Sequence, residues 1–285
     1  MSNRYPDAAV PIAHLSASWE TPPSVLIGAA LALVLFGQAF VRLRRRRREH
    51  APWSRALLFG TGLALLVLPL VSPLDHVGDE DLLSAHMLQH VLIGDAAPAL
   101  LVVAVRGPLL FFLLPPAVLR PLASFGPLRV LLAVLVRPLV SLGLWGLAVV
   151  AWHIPAAYDY AAAHPLGHDL EHVSFVVAGT LAWTQLVDPA RHGRLRRPQR
   201  VFFALGMLAL AQPLVDALLF TTGPAYSRYT GAEGISALTD QRLAGVVMMV
   251  EQLVALGLCV ALLLRPYLQQ RRERVRRPAL SHGSR

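Results

Sequence analysis

Lysine is missing from the 285-residue chain, so all 26 basic side chains are arginines. That absence excludes the Schiff-base chemistry of a retinal protein, which needs a lysine amine. Cysteine occurs once, as Cys259, which rules out an intramolecular disulfide and any CxxC metal or redox motif. It lies in an apolar run and reads as a small core residue. Charge is scarce as well: 15% of residues are charged and 55% are hydrophobic, a balance foreign to ordinary soluble domains. The opening "MSNRYPDAAVPIAHLSASWETPP" lacks the basic start, apolar stretch and small-residue cleavage site of a signal peptide, so insertion is expected to use the mature helices.

What the chain does have is apolar runs near the roughly 20 residues that a helix needs to cross a bilayer. They predict an all-α, polytopic membrane helix bundle with seven transmembrane helices, at about Ser24 to Val41, Arg55 to Val71, Leu82 to Val105, Pro138 to Trp152, His168 to Val187, Arg200 to Phe220 and Gln241 to Leu264. Residues 1–23 then form an extracytoplasmic segment, 24–264 the membrane domain and 265–285 a basic cytoplasmic tail. Between spans three and four, "RGPLLFFLLPPAVLRPLASFGPLRVLLAVLVR" is apolar but broken by prolines and spaced arginines. Prolines end helices and arginines snorkel to headgroups, so an interfacial or re-entrant helix is expected, with a further pair of spans as the alternative. With seven spans, every arginine except Arg4, Arg228 and Arg242 falls on one side. Positive charge in short loops marks the cytoplasm, which puts the N-terminus outside and the C-terminus inside. Arginines at the ends of apolar spans are a topology signal, and no nucleic-acid partner is expected.

This orientation gathers the remaining polar chemistry at the outer end. His76, His86, His90, His153, His164, His168 and His172 all fall there, with Asp75, Asp79, Glu80, Asp81, Asp159, Asp169, Glu171, Asp216 and Asp240; only His50, His192 and His282 are cytoplasmic. In "LSAHMLQHVLIGDAAP", His86 and His90 share one helix face, one turn apart. At about 1.5 Å per residue they lie roughly 8 and 14 Å below Asp81. In "HPLGHDLEHVSF", His168 and His172 repeat the spacing, and His164 precedes Pro165 at the expected helix cap. A neutral imidazole in a membrane needs partners for both ring nitrogens, so all four face the bundle interior.

A single HxxxH pair is satisfied by interhelical hydrogen bonds. Two pairs at matching depth favour a metal or cofactor site, because intramembrane ionisable groups are costly and usually functional. Imidazole suits copper, zinc, iron and nickel. His86, His90, His168 and His172 are therefore the candidate metal ligands, and no catalytic residue is assigned. Met87, His153, His164, Glu171, Asp216, Asp240 and Met248 are candidate auxiliary or supporting residues. Asp240 also reads as a helix cap, and Met248 or Met249 as packing that offers a soft thioether to Cu(I). Trp152, Tyr158 and Tyr160 read as interfacial belt residues. By helix spacing, Glu171 points away from the face of His172.

The segments "SAHMLQHVLIGDAAPALLVVAVRGPL", "WHIPAAYDYAAAHPLGHDLEHVSFVVAGTLAW" and "ALTDQRLAGVVMM" resemble the signatures of the CtaG family of multi-spanning bacterial cytochrome c oxidase assembly factors. This family is distinct from the single-span copper chaperone that shares its name. The resemblance covers about Val67 to Leu264. By position it carries over His86, Met87, Gln89, His90, Trp152, His153, Pro155, Tyr158, His168, Glu171, His172, Asp240, Gln241, Ala244 and Gly245. The sequence departs from the pattern at "MMVEQ", where a tryptophan is expected soon after the methionine. The resemblance implies a multi-pass protein of the bacterial plasma membrane that helps heme-copper oxidase subunits mature, with copper as the suspected cargo, and that is not an enzyme. Oligomeric state stays open.

Two other classes remain. A redox protein would clamp a heme by bis-histidine ligation or hold iron between the two HxxxH helices, although di-iron sites usually add bridging carboxylates. A transporter would use carboxylates near the midplane, but the histidines cluster at one end and no matching polar path reaches the cytoplasm.

Overall fold

The computed structural model describes residues 19–191, 193–232 and 234–281, with side chains as far as Gln270. The expectations for residues 1–18, His192 and His282 lie outside the described residues. Among the described residues every regular element is helical. In chain order they are α1 (Pro23–Arg46), α2 (Trp53–Val71), α3 (Pro73–Glu80), α4 (Leu83–Val91), α5 (Ala97–Val105), α6 (Pro108–Phe112), α7 (Pro116–Ser124), α8 (Gly126–Leu135), α9 (Pro138–Trp152), α10 (Pro155–Ala163), α11 (Pro165–Val187), α12 (Arg197–Phe220) and α13 (Ala237–Ser281).

Proline sets most of these starts. It occupies the first turn of α1, α3, α5 to α12. There its missing N–H would have had no partner anyway, and its fixed φ is already helical. His164 is the N-cap residue of α11, as its position before Pro165 suggested.

Five helical stretches are long and apolar enough to cross a bilayer: Pro23–Arg46, Arg48–Val71, Leu83–Val105, Arg197–Phe220 and Ala237–Gln270. Two bent pairs, α7 with α8, bent by 85°, and α9 with α10, bent by 78°, raise the number to as many as seven if each pair is one span. The chain is a multi-pass membrane protein, and α7–α8 is the broken, proline-rich segment expected between spans three and four. The expected fifth span is α11. Its 23 residues reach roughly 35 Å. It falls outside the most apolar set because it carries His168, Asp169, Glu171 and His172 along its first turns. It packs against α5, α9, α10 and α12, inside the bundle where polar groups are tolerated.

The third span is one 23-residue run in three parts: α4, a π-helical turn at Leu92–Ala96, and α5. The π turn faces α11, and there the backbones nearly touch. A Cβ on Gly179 would lie 2.9 Å from the carbonyl carbon of Gly94 and closer still to its oxygen, so only glycine fits. Without a hydrophobic driving force between helices in lipid, close approach of small residues is what holds such pairs together. This contact sets the two HxxxH helices side by side.

Below it, Trp145, Phe175, Trp183, Phe203, Met207 and Leu256 form the largest apolar core, between α9, α11, α12 and α13. A second core joins α1 to α2 through Phe36, Phe40, Phe59 and Leu63, with the Phe36 and Phe59 rings stacked at 3.9 Å. Outward-facing Ile27, Leu57, Leu139, Phe202 and Leu253 are exposed, as a lipid-facing surface requires.

Candidate metal centre

α4 carries His86 and His90 with their rings edge to face at 4.2 Å, and α11 carries His168 and His172 at 4.1 Å. Across the two helices, His86 lies 5.9 Å from His168 and 6.3 Å from His172, and His90 lies 5.5 Å from His172. The four rings form one cluster.

Two carboxylates close it. Asp79 on α3 places Oδ1 3.3 Å from both His86 Nδ1 and His168 Nε2. Glu171 places Oε1 3.6 Å from His90 Nε2. Asp79, His86 and His168 form one set of ligand atoms within 4.8 Å of one another, and His86, His90 and Glu171 form another. Glu171, a candidate auxiliary residue, thus reaches the site from the side facing α4. Glu171 is rotated away from His172 on α11, but α4 lies in the direction to which it is rotated.

These groups are within charge-pairing reach, yet none is aligned as a hydrogen bond. Both ring nitrogens of His86 and of His90, Nε2 of His168 and of His172, and Oε1 of Glu171 are buried without a hydrogen-bond partner. Leaving one such atom unsatisfied costs about 1–3 kcal/mol. A cation would satisfy several at once. Access is graded: the Asp79 side chain is 32% exposed and that of His168 19%, while His86 and His90 are sealed in.

The surrounding bonds hold this geometry. Asp240, fully buried, accepts hydrogen bonds from Leu83 N at 2.6 Å, Ser84 N at 3.0 Å and Ser84 Oγ at 2.5 Å. It caps α4, not its own helix, because α13 passes beside the start of α4 and brings the carboxylate to its free amides. Gln89 reaches back to the Pro69 carbonyl and to Asp75. Tyr229 donates to the Gly78 carbonyl at 2.6 Å, and Arg228 Nε donates to the Asp79 carbonyl at 2.8 Å, which fixes α3 over the cluster. Burial and the neighbouring Asp79 push Asp75 up to about 6, against the pull of Gln89. For Asp79, burial works upward, but the facing imidazoles of His168 and His86 outweigh it and hold the carboxyl below the usual carboxylate range.

The remaining expected residues separate. His153 is buried, with Nε2 3.2 Å from Met87 Sδ, and Met87 and Met248 line a cavity of about 50 Å³ beneath the cluster. His164 stands apart, exposed and stacked on Tyr160 at 4.3 Å, with its Nδ1 on the Tyr160 carbonyl. Asp216 is exposed on α12, where Gln212 donates to it at 2.8 Å. Neither joins the site: His164 is the cap ahead of α11 and Asp216 faces outward from α12. Tyr158, expected in the interfacial belt, is buried and packs its ring 5.2 Å from His86. In the sequence Asp79 is one of many outer carboxylates. Its signal was the short break at Asp81 and Leu82, which folds α3 back along α4.

Residues 34–270 match the family model described as cytochrome c oxidase caa3 assembly factor (Caa3_CtaG). No curated protein and no solved structure matches the chain.

Proposed function

The chain belongs to the family of cytochrome c oxidase caa3 assembly factors, and from that premise we propose that it holds copper in the cluster of His86, His90, His168, His172, Asp79 and Glu171 and passes it to an oxidase subunit. The observation that carries this reading is the set of buried, unpartnered imidazole nitrogens that converge from two helices. Imidazole and carboxylate without thiolate give a site that captures a transition metal yet yields it to a partner richer in histidine.

Asp79 and His168, the most exposed members, receive the ion, and His86, His90 and His172 enclose it. The bias of arginine to the opposite end supports the reading that this mouth faces the outer side of the membrane, where a nascent oxidase subunit would meet it. A binding role without catalysis fits an assembly factor.

A heme between the two helices is disfavoured by space. Bound organic groups occupy pockets of roughly 300–1,000 Å³, whereas the cavity beside the cluster measures about 50 Å³.

The test is elemental analysis of protein purified in detergent without chelators, beside a variant with His86, His90, His168 and His172 replaced by leucine. Copper in the native protein and none in the variant, with oxidase activity lost from membranes that still contain the variant, is the expected result. Iron, an optical heme band or full oxidase activity in the variant would overturn the reading.

A further inference from the structure

Directly beneath the histidine cluster, the roughly 50 Å³ cavity is lined by Met87, His90, Asp95, His153, Met248 and Glu251, among others. Its chemistry differs from that of the cluster above. His153 Nδ1 lies 2.6 Å from the Val149 carbonyl oxygen. A carbonyl only accepts, so Nδ1 carries the proton, and in the neutral ring Nε2 is left with a bare lone pair. That lone pair faces Met87 Sδ at 3.2 Å, and a thioether has no hydrogen to give. Two electron-pair donors thus meet head-on between fully packed neighbours: Met87 is 0% exposed and His153 6%.

A soft cation resolves the conflict that a proton on neither atom leaves. Met248 brings a second thioether to the same cavity, and His90 belongs both to the cavity wall and to the upper cluster. Glu251 contributes a buried carboxyl oxygen, Oε1, with no hydrogen-bond partner, while Asp95 is already engaged by the Trp183 indole.

We propose that Met87, His153 and Met248 form a second metal site, selective for a soft monovalent ion such as Cu(I) and reached from the upper cluster through His90. It rests on the reading that the protein carries copper, but its ligand atoms are separate. The upper cluster, built from imidazole and carboxylate, accepts Zn(II) and Cu(II) as well, whereas thioether ligation selects Cu(I). Passage between the two is ligand exchange: the ion stays Cu(I), imidazole leaves as thioether binds, and no electron moves.

The experiment is an anaerobic titration of the full-length protein in detergent with Cu(I) against a chromophoric chelator, and with Zn(II) in parallel, followed by X-ray absorption of the copper-loaded protein. Native protein, the Met87→Leu/Met248→Leu pair and the four-histidine leucine variant are compared. Two Cu(I) equivalents with sulfur scatterers in native protein, one of them weakened about 10- to 100-fold in the methionine pair with Zn(II) binding unchanged, support the site. Leucine conserves the volume of methionine, and the Zn(II) titration reports that the variant is folded. Retention of the sulfur-containing equivalent in the four-histidine variant also supports it. Copper bound with nitrogen and oxygen neighbours alone, and Cu(I) affinity unchanged in the methionine pair, would overturn this inference and leave the upper site standing. Native protein that binds neither ion would overturn both.

Discussion

At the arginine-rich end of the bundle, the partly buried arginines Arg44, Arg55 and Arg200 close on carbonyls, a ring or a carboxylate. Arg200 pairs with Asp188 at 2.8 Å, just past the C-terminus of α11. Arg44 donates to the Ala51 carbonyl at 2.7 Å and lies over the Trp53 ring at 4.9 Å, and Arg55 donates to the Arg106 carbonyl. At the opposite end, imidazoles from α4 and α11 are buried more deeply and lack hydrogen-bond partners. Both ends are polar, yet one spends its polarity on closing helix ends and the other holds it in reserve. Natural proteins accept such local destabilisation where function requires it. The contrast separates groups that support the structure from groups that await a ligand.

The sharpest break of this contrast is the four-histidine leucine variant. It is expected to bind no metal at the upper cluster, while its metal-free melting temperature stays level or rises, because partnerless buried nitrogens are gone. A drop of several degrees would make the histidines structural, as the interhelical hydrogen-bond reading holds. Acidification is the next test. Histidine ligates only when neutral, so copper bound at pH 7 is released progressively toward about pH 5. Retention in a dialysis series through that range would remove imidazole ligation, and the arginine end should show no change over it.

Asp240→Ala touches both sides of the comparison, since the carboxylate is structural but serves the site helix. Three hydrogen bonds at the start of α4 are lost, which is expected to cost about 1–3 kcal/mol in thermal unfolding and to weaken metal binding modestly. The smallest effect is expected for Arg200→Ala. Its ion pair with Asp188 is partly exposed, so stability should fall by about 1–2 kcal/mol with metal affinity unchanged. A change in metal binding there would mean that the two ends are coupled through α11.

Much of the scaffold was legible from sequence. The expected fourth span, Pro138 to Trp152, matches α9 end for end, and the third and sixth spans are recovered within a few residues, while the helix of the seventh runs well past the expected Leu264. Proline at helix starts and apolar runs of membrane length are local signals, and local signals survive in a string of letters. The two HxxxH pairs were legible for the same reason, since four residues always return to the same helix face. Asp216 and His164 have chemistry that suits a site, but the fold leaves both exposed, one on the outer face of α12 and the other at the cap of α11. Asp79 does not stand out in the sequence because it belongs to a short helix whose path depends on one break in the chain.

The amino-acid order by itself therefore determined the helices, the bundle class and the pairing of histidines along each helix, all of which follow from periodicity within about 20 residues. Only the tertiary structure decided that the pairs meet, that Glu171 turns toward His90, that Asp240 caps a helix more than 150 residues away, and that Met87 confronts His153. Each depends on which helix faces oppose one another. That is set by backbone approach at contacts such as Gly94 against Gly179, between residues whose separation along the chain carries no local signal.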